Sequence, residues 1–122
     1  MQIEDKQTLD LIAQTIYDKK GFNILVLDVR NISTMTDFYV IAEGNVERHV
    51  KALARDITDA LEKNGRLLYH SDTASSDWIV LDFSNIVIHL MTTEVREHYL
   101  LEELWRKAKI VDAKIDVHPT KG

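Results

Sequence analysis

The sequence lacks cysteine altogether and is poor in basic residues. The absence of cysteine excludes disulfide bonds and thiolate metal sites. Fifteen Lys and Arg residues stand against twenty Asp and Glu residues, for a formal net charge of -5. A protein that holds phosphates through counterion release normally has the opposite sign, so bulk binding of RNA or DNA is disfavoured.

Motifs for catalysis and for cofactor binding are also absent from the sequence. The five histidines lie singly along the chain, without the paired spacing of a metal site. Gly44 is followed by Asn45 and lacks the lysine of a phosphate-binding loop and the glycines of a dinucleotide-binding turn. Asp37, Asp77 and Asp82 form no close pair of the kind that acid–base catalysis needs. We therefore expect no enzymatic activity, no cofactor and no metal.

The composition is that of one globular domain. Hydrophobic residues make up 45% of the chain and charged residues 29%. The first ten residues are acidic and polar, unlike a signal or transit peptide, so we expect a cytoplasmic protein with no membrane association. We predict a single domain over residues 1–113, followed by a frayed polar tail at residues 114–122. Ile115 and Val117 of that tail could pair as an edge strand.

Three segments have the apolar spacing of amphipathic helices. The first runs from Leu9 to Tyr17. The second begins after Asn45, its candidate N-cap, and its apolar positions continue to Leu61. A last helix could be capped by Thr92 or Thr93. Its predicted core stripe consists of Leu101, Leu104, Trp105 and Ala108.

Strands are predicted between these helices, so the chain alternates as in α/β folds. The apolar, β-branched run 24–29 has no polar alternation and favours a central strand covered on both faces, and residues 38–42 favour a second strand. Residues 67–70 predict a short strand, and the polar residues 71–77 predict a flexible loop.

Residues 77–91 predict a hairpin around Ser84 and Asn85. With a two-residue turn, three apolar pairs face one another: Phe83 and Ile86, Leu81 and Ile88, Ile79 and Leu90. This apolar face must belong to the core. The same register places on the opposite face Trp78, Val80, Asp82, Val87, His89 and Met91.

Large apolar side chains remain at positions that the core does not require, namely Trp78, Met91, Tyr99 and Leu100. Tryptophan and tyrosine are over-represented among residues that dominate binding energy, because each buries a large area at low entropic cost. These side chains therefore indicate a surface for a protein partner. The alternative, that a second helical layer covers this face and makes Trp78 part of the core, stays open.

Four segments resemble the Iojap/ribosomal silencing factor family. Residues 36–45 (TDFYVIAEGN) resemble its T-D-[FY]-[FY]-V-I-A-x-G-N/T segment, and residues 77–83 (DWIVLDF) resemble its W-[IV]-[LV]-[LI]-D-[FY] strand. Residues 86–91 (IVIHLM) are similar to V-V-V-H-[VIL]-[FM], and residues 96–105 (REHYLLEELW) to R-x-[FY]-Y-x-L-E-x-L-W. The segments occur in family order and spacing over about residues 9–113.

The resemblance implies an α/β fold with a mixed sheet packed against helices, of nucleotidyltransferase-like topology without the catalytic motif. Such enzymes place Gly-Ser before a helix and a metal-binding Asp-x-Asp nearby, whereas this chain has Gly44-Asn45 and Asp82-Phe83. The implied function is non-enzymatic: binding of the ribosomal protein uL14 on the intersubunit face of the large subunit, which sterically blocks joining of the small subunit and represses translation. Little direct contact with nucleic acid is implied.

Transferred residue by residue, the resemblance implies a set of partner-facing positions: Trp78, Leu90, Met91, Arg96, Tyr99 and Glu102. Leu90 conflicts with the hairpin register, which points it inward. Asp77, Asp82 and Glu102 could meet the lysines or arginines of a basic ribosomal protein. Two alternatives remain, a degenerate nucleotide-binding protein and an adaptor for a non-ribosomal protein, and the face around Trp78 could also pair two copies in a homodimer.

Overall fold

Two amphipathic helices form the first layer of the fold, because their apolar side chains lie along one side of each helix. A computed structural model describes residues 4–75, 77–98 and 108–116 of the chain. In it α1 spans Asp5–Asp18 and α2 spans Glu47–Lys63, which confirms both predicted helices. A third helix, α3, spans Thr93–His98. None of the helices within the described ranges is long and apolar enough to cross a bilayer.

Six strands form one mixed sheet among the described residues. They are β1 (Phe22–Asp28), β2 (Phe38–Gly44), β3 (His70–Ser75), β4 (Trp78–Asp82), β5 (Ile86–Thr92) and β6 (Lys109–Ile110). Their order is β3-β4-β5-β2-β1-β6, and β2 and β5 are parallel while the other neighbours are antiparallel. The expected single α/β domain with a mixed sheet is confirmed. Among the described strands, β1 lies between β2 and the two-residue edge strand β6, so it has a neighbour on each side but is not at the centre of the sheet as expected.

The predicted hairpin of β4 and β5 is confirmed in its register. Ile79 faces Leu90 and Leu81 faces Ile88, and the backbone N–H of Phe83 donates to the carbonyl of Ile86 at 2.9 Å. The pairing therefore separates apolar side chains from the mixed set on the other face, as the alternation in the sequence predicts.

The two faces of the sheet are covered to different extents. α1 and α2 pack on one face, where side chains such as Ile12, Ile57 and Ile88 are fully buried. A smaller second cluster lies on the other face and consists of Leu27, Val29, Ile41, Met91 and Val95. Val95 belongs to α3, so within the described residues α3 covers one end of this face. Each fully buried aliphatic side chain contributes roughly 1.5–3 kcal/mol, which makes the first layer the main source of stability.

The start of α2 differs from the prediction. The N-cap is Val46, not Asn45, and no side chain caps the helix. The backbone N–H of Asn45 donates instead to Nδ1 of His49 at 2.9 Å, and Nε2 of the same ring lies 2.7 Å from the carbonyl oxygen of Lys19. The imidazole of His49 therefore binds the backbone just before the N-cap and connects the start of α2 to the end of α1.

The polar segment after α2 is a strand, where we predicted a flexible loop. β3 pairs antiparallel with β4 from His70 to Ser75, and the predicted strand at residues 67–70 is absent apart from His70. Leu67 and Tyr69 are exposed. An edge strand can be polar because solvent borders it, so hydrophobic alternation does not detect it.

The beginning of the predicted frayed tail is attached to α1. The backbone N–H groups of Lys114 and Asp116 donate to Asp10 at 2.9 Å and to Gln14 at 2.6 Å. The edge strand expected at Ile115 lies earlier, at β6, and Val117 lies outside the described residues. Polar side chains of α1 thus bind the backbone at residues 114–116, and the division of the chain into a domain and a tail stays a prediction.

Candidate functional site

The face of the sheet opposite α1 and α2 carries a group of half-buried side chains. We call this group the aromatic face, and it consists of Tyr39, Trp78, Val80, Asp82, Val87 and His89. Along β4 these positions alternate with buried ones, so the strand has one core face and one accessible face. The accessible set is the one that the hairpin register places beside Trp78.

Three rings form the centre of the aromatic face. The indole Nε1–H of Trp78 donates to Nδ1 of His89 at 3.2 Å, and the two ring centroids are 6.0 Å apart. On the other side of His89, the ring of Tyr39 lies 5.5 Å away at an interplanar angle of 48°. Such tilted pairs are favourable arrangements of aromatic rings. Trp78 is partly buried and packs against the second cluster.

The electrostatics of the face are set by a neutral histidine and by carboxylates. Burial lowers the pKa of His89 below its usual value, so the ring is neutral at pH 7. Asp82 accepts a hydrogen bond from the backbone N–H of Ser84 at 2.8 Å, and Asp77 accepts one from the hydroxyl of Ser75 at 2.6 Å. The two carboxylates bracket β4 and keep acceptor capacity for a cationic group.

Leu90 and Met91, two of the predicted site residues, are buried. Leu90 is 0% exposed in the layer of α1 and α2, which agrees with the hairpin register. Met91 is 1% exposed and packs with Val95 in the second cluster. The expectation that Met91 is a surface anchor is therefore wrong for this structure: the register identified its face, but α3 covers it.

Arg96 is held inside the molecule by a buried carboxylate, contrary to its predicted place on the surface. Its Nη1 donates to Oε2 of Glu43 at 2.9 Å and to the carbonyl of Asn23, and its side chain is only 14% exposed. Glu43 also accepts from Thr93 Oγ1 at 2.6 Å and from Asn23 Nδ2 at 3.0 Å. This network joins α3 to β1 and β2, so Arg96 orients α3.

The remaining predicted contacts, Tyr99, Leu100 and Glu102, lie outside the described residues. The same holds for Leu101, Leu104 and Trp105 of the predicted core stripe. Ala108 of that stripe is partly buried against the second cluster.

Tyr39 and His89 belong to the site but were not selected from the sequence. The hairpin register did place His89 on the same face as Trp78, and this shared face was the signal in the sequence that went unused. Tyr39 reaches the face because β2 pairs with β5 in parallel, with Ile41 opposite His89. That pairing joins strands distant in sequence, and no local pattern encodes it.

A cleft of about 730 Å³ opens beyond the carboxyl ends of β2 and β5, where open α/β sheets often bind ligands. Among the described residues, its charged lining is Glu47, Asp77, Glu94 and Arg48. Three carboxylates against one guanidinium oppose a polyphosphate ligand. Over residues 4–75, 77–98 and 108–116, no three histidine or acidic side chains are gathered in a way that could hold a metal ion.

The fold and the site together define a class of small α/β domain, with helices on one face of the sheet and the half-buried aromatic face on the other. The particular family is identified by comparison with known proteins. A family model described as "Ribosomal silencing factor during starvation" matches residues 2–121, and the chain belongs to this family.

Individual relatives agree with this family. The chain is similar to ribosomal silencing factor RsfS of Bacillus subtilis, with 32% identity over 90% of this chain and 94% of that protein. It is similar to the mouse protein named mitochondrial assembly of ribosomal large subunit protein 1, with 29% identity over 82% of this chain and 46% of that protein. A crystal structure of a protein from Chromobacterium violaceum superposes with a TM-score of 0.80 at 28% identity, covering 98% of both chains.

Proposed function

We propose that this chain silences translation by binding the large ribosomal subunit through the aromatic face. The observation that carries the proposal is the half-buried Trp78 at the centre of a face that α1 and α2 leave uncovered. Membership of the silencing-factor family and the ribosomal names of the relatives support it. The chain acts in the cytoplasm and performs no chemistry of its own.

The finer proposal is that the partner is the ribosomal protein uL14 on the intersubunit face. Ribosomal proteins are basic as a group, and the carboxylates of Asp77 and Asp82 flank the strand that carries Trp78. A net charge of -5 disfavours direct binding to the surrounding RNA, while it speeds association with a basic protein patch. Specificity then comes from the protein contact and not from the phosphate backbone.

The mechanism is steric. A stable protein interface buries about 1,200–2,000 Å² in total, which a domain of this size can supply from one face of its sheet. Once the domain is seated on the intersubunit face, its bulk occupies the space that the small subunit needs. Binding at that place is sufficient to repress translation.

A subunit-joining assay on sucrose gradients tests this function. Added protein should shift material from joined ribosomes to free subunits, and the Trp78→Ala variant should lose this effect. Tyr17→Ala is the matched control, because Tyr17 is also a partly exposed aromatic residue but lies on α1, on the other side of the sheet. Full formation of joined ribosomes at saturating wild-type protein would overturn the steric mechanism.

Co-sedimentation separates the ribosomal partner from a non-ribosomal one. In cell lysate the protein should migrate with free large subunits, and Trp78→Ala should remain near the top of the gradient. Absence of the wild-type protein from the large-subunit fractions would favour the adaptor hypothesis over ribosomal silencing.

A further inference from the structure

His89 occupies the middle of the ring cluster on the aromatic face. It lies on β5, with β4 on one side and β2 on the other. The ring of Trp78 borders it from β4 at 6.0 Å and the ring of Tyr39 borders it from β2 at 5.5 Å. Both large aromatic side chains of the face thus rest against one imidazole.

The hydrogen bond between Trp78 and His89 has a defined direction. An indole N–H can only donate, so Nδ1 of His89 must accept with a free lone pair. The ring proton of the neutral imidazole therefore lies on Nε2. Burial lowers the pKa of His89, which keeps this acceptor available at neutral pH.

The orientation of a tryptophan in an interface affects affinity, because an unrestrained side chain loses rotamer entropy when a partner binds it. A ring that is already held in one orientation avoids this loss. The bond to His89 restrains the indole through its only polar atom, and the contact between the rings restrains its tilt.

We infer that His89 is a positioning residue of the aromatic face, which holds the indole of Trp78 in its binding orientation through the hydrogen bond to Nδ1. The inference rests on the proposed function and adds a residue to it. His89 acts on the partner through Trp78.

Affinity for purified large ribosomal subunits of the same organism tests the inference. His89→Leu removes the acceptor and keeps an apolar side chain of similar size, and it should weaken binding roughly three- to tenfold. His89→Asn keeps an acceptor oxygen close to the position of Nδ1 and should bind within about twofold of wild type. Rescue by asparagine but not by leucine distinguishes the hydrogen bond from packing.

Trp78→Phe removes the donor of the same hydrogen bond. The test therefore does not depend on whether the single variant His89→Leu folds. Trp78→Phe keeps an aromatic ring without the N–H and should weaken binding at least as much as His89→Leu does. In the Trp78→Phe background, His89→Leu should have no further effect on affinity, because the bond is already absent.

The indole N–H resonance of Trp78 in a ¹H–¹⁵N spectrum gives a readout that a purely structural role would not change in this way. It is assigned by its disappearance in Trp78→Phe, and Trp105 supplies the reference resonance. It should move upfield in His89→Leu and return towards its wild-type position in His89→Asn.

The outcomes separate the inference from the proposed function. If Trp78→Ala weakens binding but His89→Leu binds as wild type, or if His89→Asn binds as poorly as His89→Leu, the positioning role is wrong and the aromatic face stands. If neither Trp78→Ala nor His89→Leu changes affinity, the aromatic face is not the binding surface and both proposals are wrong.

Discussion

The two faces of the sheet are built from the same strands but carry different side chains. On the face covered by α1 and α2, residues such as Ile86, Ile88 and Leu90 are fully buried. Their neighbours on β5, Val87 and His89, point the other way and are half-buried. One strand therefore contributes one set of side chains to the helix-covered core and presents another set that is only half-buried, so adjacent residues should respond differently to substitution.

The largest effect on stability should come from the buried ion pair that holds α3 at the edge of the aromatic face. Glu43→Ala removes the buried carboxylate that accepts from Arg96, Thr93 and Asn23 and should lower the free energy of unfolding by about 3–5 kcal/mol. Chemical denaturation measures this. Glu62→Ala, at an exposed position of α2, is the control and should change stability by less than about 0.5 kcal/mol. Equal stability of the two variants would contradict the assigned role of Glu43.

A pair of adjacent substitutions on β5 tests the difference between the faces directly. Ile88→Ala opens a cavity in the helix-covered layer and should cost about 2–5 kcal/mol. Val87→Ala, one residue earlier on the half-buried face, should cost about 1 kcal/mol or less. Denaturation midpoints in urea compare them, and a cost for Val87→Ala as large as that for Ile88→Ala would mean that both faces are core.

When binding is measured in place of stability, the larger effect should come from the aromatic face, through Trp78→Ala. Affinity for the large ribosomal subunit should fall by at least about 2 kcal/mol, because a central tryptophan contributes more than a peripheral contact. Isothermal titration with purified subunits measures it, with Tyr17→Ala as the control variant. An unchanged affinity for Trp78→Ala would remove this residue from the interface.

The smallest expected effect is a pH dependence of stability that arises from His89 on the aromatic face. Since burial lowers the pKa of His89 in the folded state, the unfolded chain binds the proton more readily. Stability should therefore fall as the pH drops through the ordinary histidine pKa of about 6.5 and should go on falling down to the folded pKa. Thermal melts of wild type and His89→Asn between pH 8 and 5 should show a shallower loss in the variant, and parallel curves would contradict the prediction.

Local patterns in the sequence were sufficient for much of the fold. The spacing of Leu9, Ile12 and Ile16 predicted α1, and the alternation on β4 and β5 predicted both the hairpin register and the face of Trp78. These features depend on residues close together in the chain, where side-chain direction follows from the period of the element.

Contacts between distant segments could not be predicted in this way. The sequence does not indicate that Glu43 receives Arg96, that α3 covers Met91, or that Tyr39 borders His89. The family resemblance implies that Arg96 and Met91 face a partner. A sequence motif alone cannot distinguish a side chain that touches a partner from one that supports the surface from inside. The polar strand β3 was missed because an edge strand needs no hydrophobic face of its own.

The central claim, that the aromatic face and not the helix-covered side meets the large ribosomal subunit, can be tested by attaching a bulky group at one chosen position. The chain has no cysteine, so Val87→Cys and Arg55→Cys each provide a single attachment site for a maleimide polymer before mixing with subunits. Val87 lies on the aromatic face and Arg55 is exposed on α2. The modified Val87→Cys protein should fail to bind large subunits while the modified Arg55→Cys protein binds as wild type. Binding by the former and its loss in the latter would contradict the account.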